Sequence, residues 1–238
     1  MPRRDCKGLF LEDVKEDLQL KELYEAGKDF LFLLDRGYPR KGSLELVGSR
    51  YQLDRLHRDL LHRGVFSKRE STLRKEKLLP IERIRGANVA LDGYNVIITL
   101  ESALKGLPLI HANDGVIRDI AGVSSRYKIS KTTEGALGLI FNLLHNLEPI
   151  YTLILLDSPI SLSGVFATNL REIMKERQIN GDALAVKVPE RYLKDFDGIV
   201  ATSDSALINQ SRQVVDMAGY IIKEIIKCEW LISFKNLL

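Results

Sequence analysis

Three apolar runs in this chain each end in an aspartate. They are Asn88–Leu91 before Asp92, Leu153–Leu156 before Asp157, and Ile199–Ser203 before Asp204. Short apolar runs closed by a polar residue are typical of strands buried on both faces of a parallel sheet. The ligand crevice of an open α/β sheet lies at the carboxyl ends of its strands, so the three carboxylates would meet there. Because like charges repel unless a cation lies between them, the pattern predicts a divalent metal site.

Composition narrows the class of protein. The chain has 238 residues, 45% of them hydrophobic, which is enough for one core plus a small satellite domain. No apolar run is long enough to cross a membrane, and the first residues lack the apolar stretch of a signal peptide. Cys6 and Cys228 lie at opposite ends of the chain, without zinc-ligand spacing. We therefore expect a cytoplasmic protein with no membrane partner.

The positive charge is concentrated in one block. Residues 36–77 carry 12 Lys and Arg against 5 Asp and Glu, whereas the net charge of the whole chain is only +3. Such a block indicates a surface that faces a polyanion, although a solvated basic helical face would have the same composition. The residues that we assign to nucleic-acid binding are Arg50, Arg55, Arg58, Arg63, Lys68 and Arg69.

The first part of the chain, residues 1–83, is predicted to be a small all-α domain. Apolar residues recur at helical spacing up to Gly37, and two shorter helices follow, over 43–47 and 53–61. The two shorter helices, joined near a glycine, resemble a helix-turn-helix. The basic stretch 67–77 is predicted to be a linker.

From residue 84 to residue 238 the pattern alternates between strand and helix, which predicts a parallel sheet with crossover helices. Strands are expected at 87–91, 152–156, 184–188, 199–203 and 220–226, and helices near 95–105, 134–147, 162–178 and 205–218. The long connection 106–133 is predicted to contain a short helix near 116–121 and to frame a site.

Asp92-Gly93 is open to two interpretations. An Asp-Gly pair between apolar stretches is a hairpin signal. The apolar residues from Val96 to Leu107, however, are spaced as in a helix, so we predict strand, turn and helix. Asn95 then suits a helix N-cap or an outer-sphere metal contact.

These motifs resemble a known family. Leu91–Ile97, Leu-Asp-Gly-Tyr-Asn-Val-Ile, is similar to the opening motif of the NYN branch of PIN-like ribonucleases. Val200–Ile208, with its Thr-Ser-Asp, resembles the late strand-end aspartate of that superfamily. The whole chain also resembles an uncharacterised, mainly archaeal family that joins a small helical domain to a PIN-like domain. The resemblance implies a Rossmann-like PIN domain behind the all-α domain.

The resemblance also implies site residues. Asp92 and Asp204 match the metal-binding acids of the superfamily, and Asp157 lies where a further acid is often placed. With Asn95 they form the expected catalytic set. For Asp157 the alternative role is an N-cap of the segment that follows it.

A further acid of the PIN-like pattern is harder to locate. Many of these enzymes place it at the start of a helix about twenty residues before the Thr-Ser-Asp, and Asp182, Asp195 and Asp197 begin no convincing long helix. We therefore consider Asp114 and Asp119 as metal ligands. Their alternative roles are a helix N-cap for Asp114 and a solvated helix residue for Asp119.

Carboxylate ligands select Mg²⁺ or Mn²⁺ over zinc. The expected function is a metal-dependent endoribonuclease that binds single-stranded or looped RNA through the basic domain. Two alternatives stay open: a non-catalytic PIN-like module that binds RNA or a protein, and a small-molecule phosphohydrolase. The C-terminal run Trp230–Phe234 is apolar enough either to cover a sheet edge or to form a homodimer contact.

Overall fold

The computed structural model describes residues 14–120, 127–228 and 231–237, which divide between two compact units. Among the described residues, the first unit is formed from 14–76, 106–120, 228 and 231–237, and the second from 77–105 and 127–227. The first break, after residue 76, lies close to the predicted domain boundary. The sequence prediction nevertheless assigned 106–120 and 228–238 to the α/β domain, and the structure corrects this, because both segments supply side chains to the core of the first unit.

The elements are numbered in chain order. The helices are α1 Val14–Asp35, α2 Arg40–Arg50, α3 Arg55–Gly64, α4 Lys68–Lys75, α5 Gly93–Leu104, α6 Lys131–Leu147, α7 Ser163–Glu176, α8 Pro189–Leu193, α9 Ser205–Gln210 and α10 Met217–Tyr220. The strands are β1 Asn88–Asp92, β2 Leu109–His111, β3 Ile117–Asp119, β4 Tyr151–Asp157, β5 Gly181–Val186, β6 Ile199–Ala201, β7 Val214–Val215 and β8 Ile232–Ser233. Short 3₁₀ segments cover Ile81–Ile84 and Lys235–Leu237, and a π-helical segment covers Ile221–Ile226.

In the first unit, α1 to α3 follow the predicted helical pattern, but the stretch predicted to be a linker forms α4. This helix begins with a capping box, in which the Ser67 hydroxyl accepts from the Glu70 amide and the Glu70 carboxylate accepts from the Ser67 amide. A capping box satisfies two of the amide groups that a helix leaves unpaired at its start. The high polarity of this stretch therefore reflects an exposed helix face, not a linker.

The segment 106–120 forms a β-hairpin, so the short helix predicted near 116–121 is wrong. Strands β2 and β3 pair antiparallel, and Gly115 in the connecting turn has a φ of +92°. Strand β8 adds to β2 in parallel. The C-terminal run thus covers a sheet edge, one of its two predicted roles, while Trp230 lies outside the described residues.

The core of the first unit joins the helices to these later segments. Leu61 of α3, Ile110 of β2 and Phe234 are fully buried in one cluster. Gly64 lies where a side chain would collide, because an added Cβ atom would be 2.4 Å from Phe234 and 2.7 Å from Ile110. The close approach of α3 to the small sheet therefore depends on glycine at this position.

A buried ionic cluster holds the hairpin to α4. Both carboxylate oxygens of Asp114 accept from Arg118 at 2.8 Å, and Arg74 donates to one of them at 3.0 Å. The guanidinium carbons of Arg74 and Arg118 lie 4.1 Å and 4.9 Å from the centre of the Phe66 ring. Burial alone would raise the pKa of Asp114, but the two arginines outweigh it and hold the pKa below its ordinary value.

We predict that Asp114→Asn lowers the free energy of unfolding of the full chain by about 3–5 kcal/mol, because two buried guanidinium groups lose the carboxylate that both of them contact. Urea denaturation measures this. The matched control is Asp59→Asn, whose carboxylate is 48% exposed and lies 3.8 Å from Arg55; we expect it to cost less than about 1 kcal/mol. A loss of that small size for Asp114→Asn would contradict the role of the cluster.

The second unit is a five-stranded parallel sheet in the order β5-β4-β1-β6-β7, with helices in its crossovers. The predicted α/β class with a parallel sheet is confirmed. The predicted strand at 220–226 is wrong: β7 is the last strand of this sheet in chain order, and residues 221–226 are helical. Ile221 and Ile222 are buried in that helical segment, so a short apolar run indicated burial correctly but not the type of element.

Helix α5 begins directly after β1, which excludes the hairpin interpretation of Asp92-Gly93. An added Cβ atom at Gly93 would lie 2.7 Å from the backbone oxygen of Leu155 in the neighbouring strand. Glycine therefore allows the chain to leave β1 while it remains in contact with β4.

Within the residues that the structure describes, no helix has both the length and the hydropathy needed to cross a bilayer.

Candidate active site

The ends of three adjacent strands carry the three aspartates. Asp92 is the last residue of β1 and Asp157 the last of β4, and Asp204 follows the end of β6 by three residues. Strands β4 and β6 both pair with β1 in parallel, so all three acids lie at the carboxyl edge of the sheet. In the pairing of β1 with β4, Asp92 lies opposite Leu155. Asp157 follows Leu155 by two residues on β4.

The segment Thr202–Asp204 is fastened to the start of α5. The Thr202 hydroxyl donates to Asp92 Oδ2 at 2.9 Å and accepts from the Asp204 amide at 3.0 Å. The side-chain oxygen of Asn95 accepts from the Ser203 amide at 2.8 Å and from the Ser203 hydroxyl at 2.9 Å. Asn95 is therefore a positioning residue that orients the loop, and it occupies the first turn of α5 instead of the N-cap.

Asp204 also caps a helix. One of its carboxylate oxygens accepts from the Leu207 amide at 2.8 Å, at the start of α9, while the side chain is exposed. Asp157 makes no corresponding cap, because α7 begins at Ser163 with Leu162 in the N-cap position. The N-cap interpretation thus fails for Asp157, whereas capping and a chemical role are compatible for Asp204.

Burial and neighbouring charge together raise the pKa of two carboxyl groups at this edge. Burial raises the pKa of Asp92 to about 7; the Thr202 hydrogen bond opposes this rise, and the charges of Asp204, Asp157 and Glu190 add to it. Burial and the Glu190 charge also raise the pKa of Asp157. The four acids therefore interact electrostatically, and the protonation of Asp92 is coupled to the charge of the other three.

Glu190 is the acid that sequence reasoning missed. It lies in the first turn of α8, behind Pro189 at the first helical position, and α8 packs on β1 and β4. Proline at the first position followed by an acid is a helix-start signal, so Val188-Pro189-Glu190 could have been recognised. The sequence pattern instead offers Asp182, Asp195 and Asp197 for this acid, and none of the three begins a long helix.

Tyr94, the residue between Gly93 and Asn95 in the motif, is buried. Its ring makes an edge contact with Tyr127 at 5.1 Å between centroids and packs against Phe166 at 6.1 Å. Burial and the charge of Asp157 raise its pKa to about 12, so its hydroxyl is neutral at physiological pH. Tyr127 in turn donates to the buried Glu101 at 2.6 Å, which connects α5 to the segment before α6.

The fit of a divalent cation to this edge depends on the type of ligand shell. In the described part of the chain, no three His, Cys, Asp or Glu side chains lie close enough to form a ready-made metal cage. Mg²⁺ commonly binds through one or two carboxylates and retains several waters, and Asp92 with its neighbouring acids meets that requirement. The residues thus fit a hydrated Mg²⁺ or Mn²⁺ but not a site built from protein ligands alone.

Asp114 and Asp119 do not belong to this site. Both are in the first unit, and Asp114 sits in the hairpin, where arginines occupy both of its oxygens, so its interpretations as a helix N-cap and as a metal ligand are wrong. Asp119 ends β3 with its side chain buried, so it is not a solvated helix residue.

The six predicted nucleic-acid-binding cations fall into two groups. Arg58 and Arg63 donate to the backbone oxygens of Leu53 at 2.8 Å and Asp119 at 3.0 Å, which gives them structural roles. The other four are exposed: Arg50 and Arg55 near the carboxylates of Asp29 and Asp59, and Lys68 and Arg69 at the start of α4.

The raised pKa of Asp92 predicts a pH-dependent stability. Below about pH 4 the carboxyl group is protonated in both the folded and the unfolded chain. As the pH rises to about 7, the unfolded chain loses its proton first and the fold is progressively destabilised. At pH 8 we expect Asp92→Asn to be more stable than the parent by up to about 4 kcal/mol, because each pKa unit corresponds to about 1.4 kcal/mol.

Urea denaturation between pH 4 and pH 8 measures this difference. Asp197→Asn, which alters an exposed acid of the same unit, is the matched control and should keep the pH dependence of the parent. Parallel curves for the parent and Asp92→Asn would contradict the electrostatic account of the site.

Comparisons with known proteins divide the chain near residue 80. Residues 81–220 match the family model described as a domain of unknown function, DUF5616, and residues 22–77 match a protein of unknown function, DUF434. The chain is 34% identical over 201 residues to the uncharacterized protein MJ0935 of Methanocaldococcus jannaschii, a match that covers 84% of this chain and 96% of that protein. No solved structure matches the chain. The expected two-part architecture with an archaeal relative is thus confirmed, while the PIN-like assignment stays a prediction.

Proposed function

For this chain, which belongs to the DUF5616 family and carries a DUF434 segment before that domain, we propose the function of a metal-dependent ribonuclease. The second unit acts as a PIN-like, NYN-type nuclease domain that hydrolyses a phosphodiester bond at the carboxyl edge of its sheet. The exposed cations of the first unit hold RNA through its phosphates.

The observation that carries this proposal is the electrostatic coupling of four acids at one sheet edge. Asp157, Asp204 and Glu190 all raise the pKa of Asp92, which is the arrangement that a divalent cation would relieve. Several carboxylates seldom lie together in a protein without a cation between them, because their mutual repulsion costs stability. Asp92 and Asp157, whose pKa values are raised by burial and by neighbouring charge, are accordingly functional-site candidates.

The roles of the residues follow from their contacts. Mg²⁺ or Mn²⁺, when bound, would activate a water and neutralise charge on the scissile phosphate. Asp92 and one neighbouring acid would hold the hydrated cation directly, and the remaining acids among Asp157, Asp204 and Glu190 would contact it through its waters. Thr202 and Asn95 keep Asp92 and the Asp204 loop in register, as second-layer partners of metal ligands commonly do.

Activity of the full chain tests the proposal. We expect cleavage of a mixed-sequence RNA in Mg²⁺ or Mn²⁺, no cleavage in EDTA, and a loss of about 100-fold or more in Asp92→Asn and Asp204→Asn, because the charge that offsets the phosphate is no longer organised. Glu190→Gln should reduce the rate as well, whereas Asp197→Asn should match the parent. Undiminished cleavage by Asp92→Asn or in EDTA would refute the mechanism.

The salt dependence of RNA binding tests the role of the first unit. Replacing Arg55, Lys68 and Arg69 together by alanine should flatten the plot of log affinity against log salt by about 2, since each contact with a single-strand phosphate contributes about 0.7. Lys175→Ala, an exposed cation at the end of α7, is the control. An unchanged slope in the triple variant would show that these cations do not contact RNA.

One observation favours a second function, that of a non-catalytic RNA-binding module. Among the described residues no three potential ligands surround a metal position, and a domain that only binds RNA needs none. RNA affinity without any cleavage by the parent, and unchanged in Asp92→Asn and Asp204→Asn, would select this function.

A further inference from the structure

Helix α8 brings Glu190 to the carboxyl edge of the sheet where Asp92, Asp157 and Asp204 lie, which we call the acidic edge. The same helix carries an exposed aromatic side chain. Tyr192 is 59% exposed, and among the described aromatic residues of the second unit it is the one whose side chain is mostly solvent-accessible. A single exposed ring needs no explanation by itself, so the case for a contact rests on its position and on the charged side chains near it in the chain.

The helix is a rigid support for that ring. Pro189 and Leu193 are buried, and Leu193 packs in a cluster with Leu155 of β4 and Val200 of β6. Pro189 also restricts the backbone at the start of the helix. Anchored to the strands whose ends bear the acids, α8 holds its outer side chains in a defined position relative to them.

The order of the exposed side chains follows from helix geometry. Successive residues turn by about 100°, so Glu190 and Tyr192 project from opposite flanks of the buried face and Arg191 projects outward between them. Lys187 precedes the helix. Both Lys187 and Arg191 are exposed, and neither forms an ion pair with any residue in the described ranges. The surface therefore combines one ring with two cations whose charge is not neutralised by a protein carboxylate.

An exposed ring that is close in the chain to two exposed cations suits single-stranded nucleic acid, in which phosphates alternate with unpaired bases. Bases stack on aromatic side chains irrespective of sequence, and the cations contact the backbone. We propose that Tyr192 stacks on an unpaired base of the RNA that passes the acidic edge, with Arg191 and Lys187 on adjacent phosphates. This inference rests on the proposed function, because it assigns a base-binding subsite to the same RNA that the acids would cleave.

Binding of a fluorescein-labelled 12-nucleotide RNA by the full chain, measured by anisotropy in EDTA, tests the subsite without cleavage. Tyr192→Ala should weaken binding by about 5- to 100-fold, since stacking on one base has roughly that effect on affinity. Tyr192→Phe should stay within about 2-fold of the parent, because the ring remains. Ile150→Ala is the matched control, because Ile150 is an apolar side chain of the second unit that is 61% exposed and precedes the amino end of β4; it should bind like the parent.

An abasic oligonucleotide of the same length separates stacking from charge. We expect the parent to bind it more weakly than RNA and Tyr192→Ala to bind it as well as the parent does. Equal loss for RNA and abasic oligonucleotide in Tyr192→Ala, or a loss in Ile150→Ala as large as that in Tyr192→Ala, would overturn the subsite. So would unchanged RNA binding together with altered self-association in sedimentation, which would assign the ring to a protein contact.

The subsite and the ribonuclease proposal can fail separately. Tyr192-dependent RNA binding without cleavage in Mg²⁺ or Mn²⁺ would retain the subsite and reject the enzyme. Metal-dependent cleavage with Tyr192→Ala indistinguishable from the parent on RNA would retain the enzyme and reject the subsite.

Discussion

Parallel pairing of β1 with β4 and β6 is the constraint on which the candidate site depends. Strands that run in the same direction end at the same edge, so the acid that closes each apolar run is delivered to one place. Burial raises the pKa of Asp92, and the charges of the neighbouring acids add to that rise. The Thr202 hydrogen bond to Asp92 opposes the rise, so the site combines electrostatic strain with a fixed geometry.

The two units solve the problem of buried charge in opposite ways. In the first unit, Asp114 is neutralised by Arg74 and Arg118, both packed on Phe66, so its carboxylate contributes to stability. In the second, the carboxylate of Asp92 has a threonine hydroxyl and other acids as neighbours. The first arrangement is complete within the protein, whereas the second gains from a cation supplied by solvent.

Sequence reasoning recovered the elements whose signal is local. The helical spacing after Gly93 predicted α5, and the apolar runs before Asp92 and Asp157 predicted β1 and β4. It failed where the signal depends on partners: Ile221 and Ile222 belong to a helical segment instead of a strand, and segment 106–120 forms a hairpin. Short apolar stretches indicate burial, but the packing partner decides between helix and strand.

The sequence by itself determined the α/β class, the positions of Asp92, Asp157 and Asp204 at strand ends, and the basic character of the early helices, because each depends on residues close together in the chain. The tertiary structure alone decided which acids share an environment. It excluded Asp114 and added Glu190, since burial, ion pairing and charge coupling arise between residues that only folding brings together. The three strand-end aspartates are thus a property of the sequence, and their electrostatic coupling is a property of the fold.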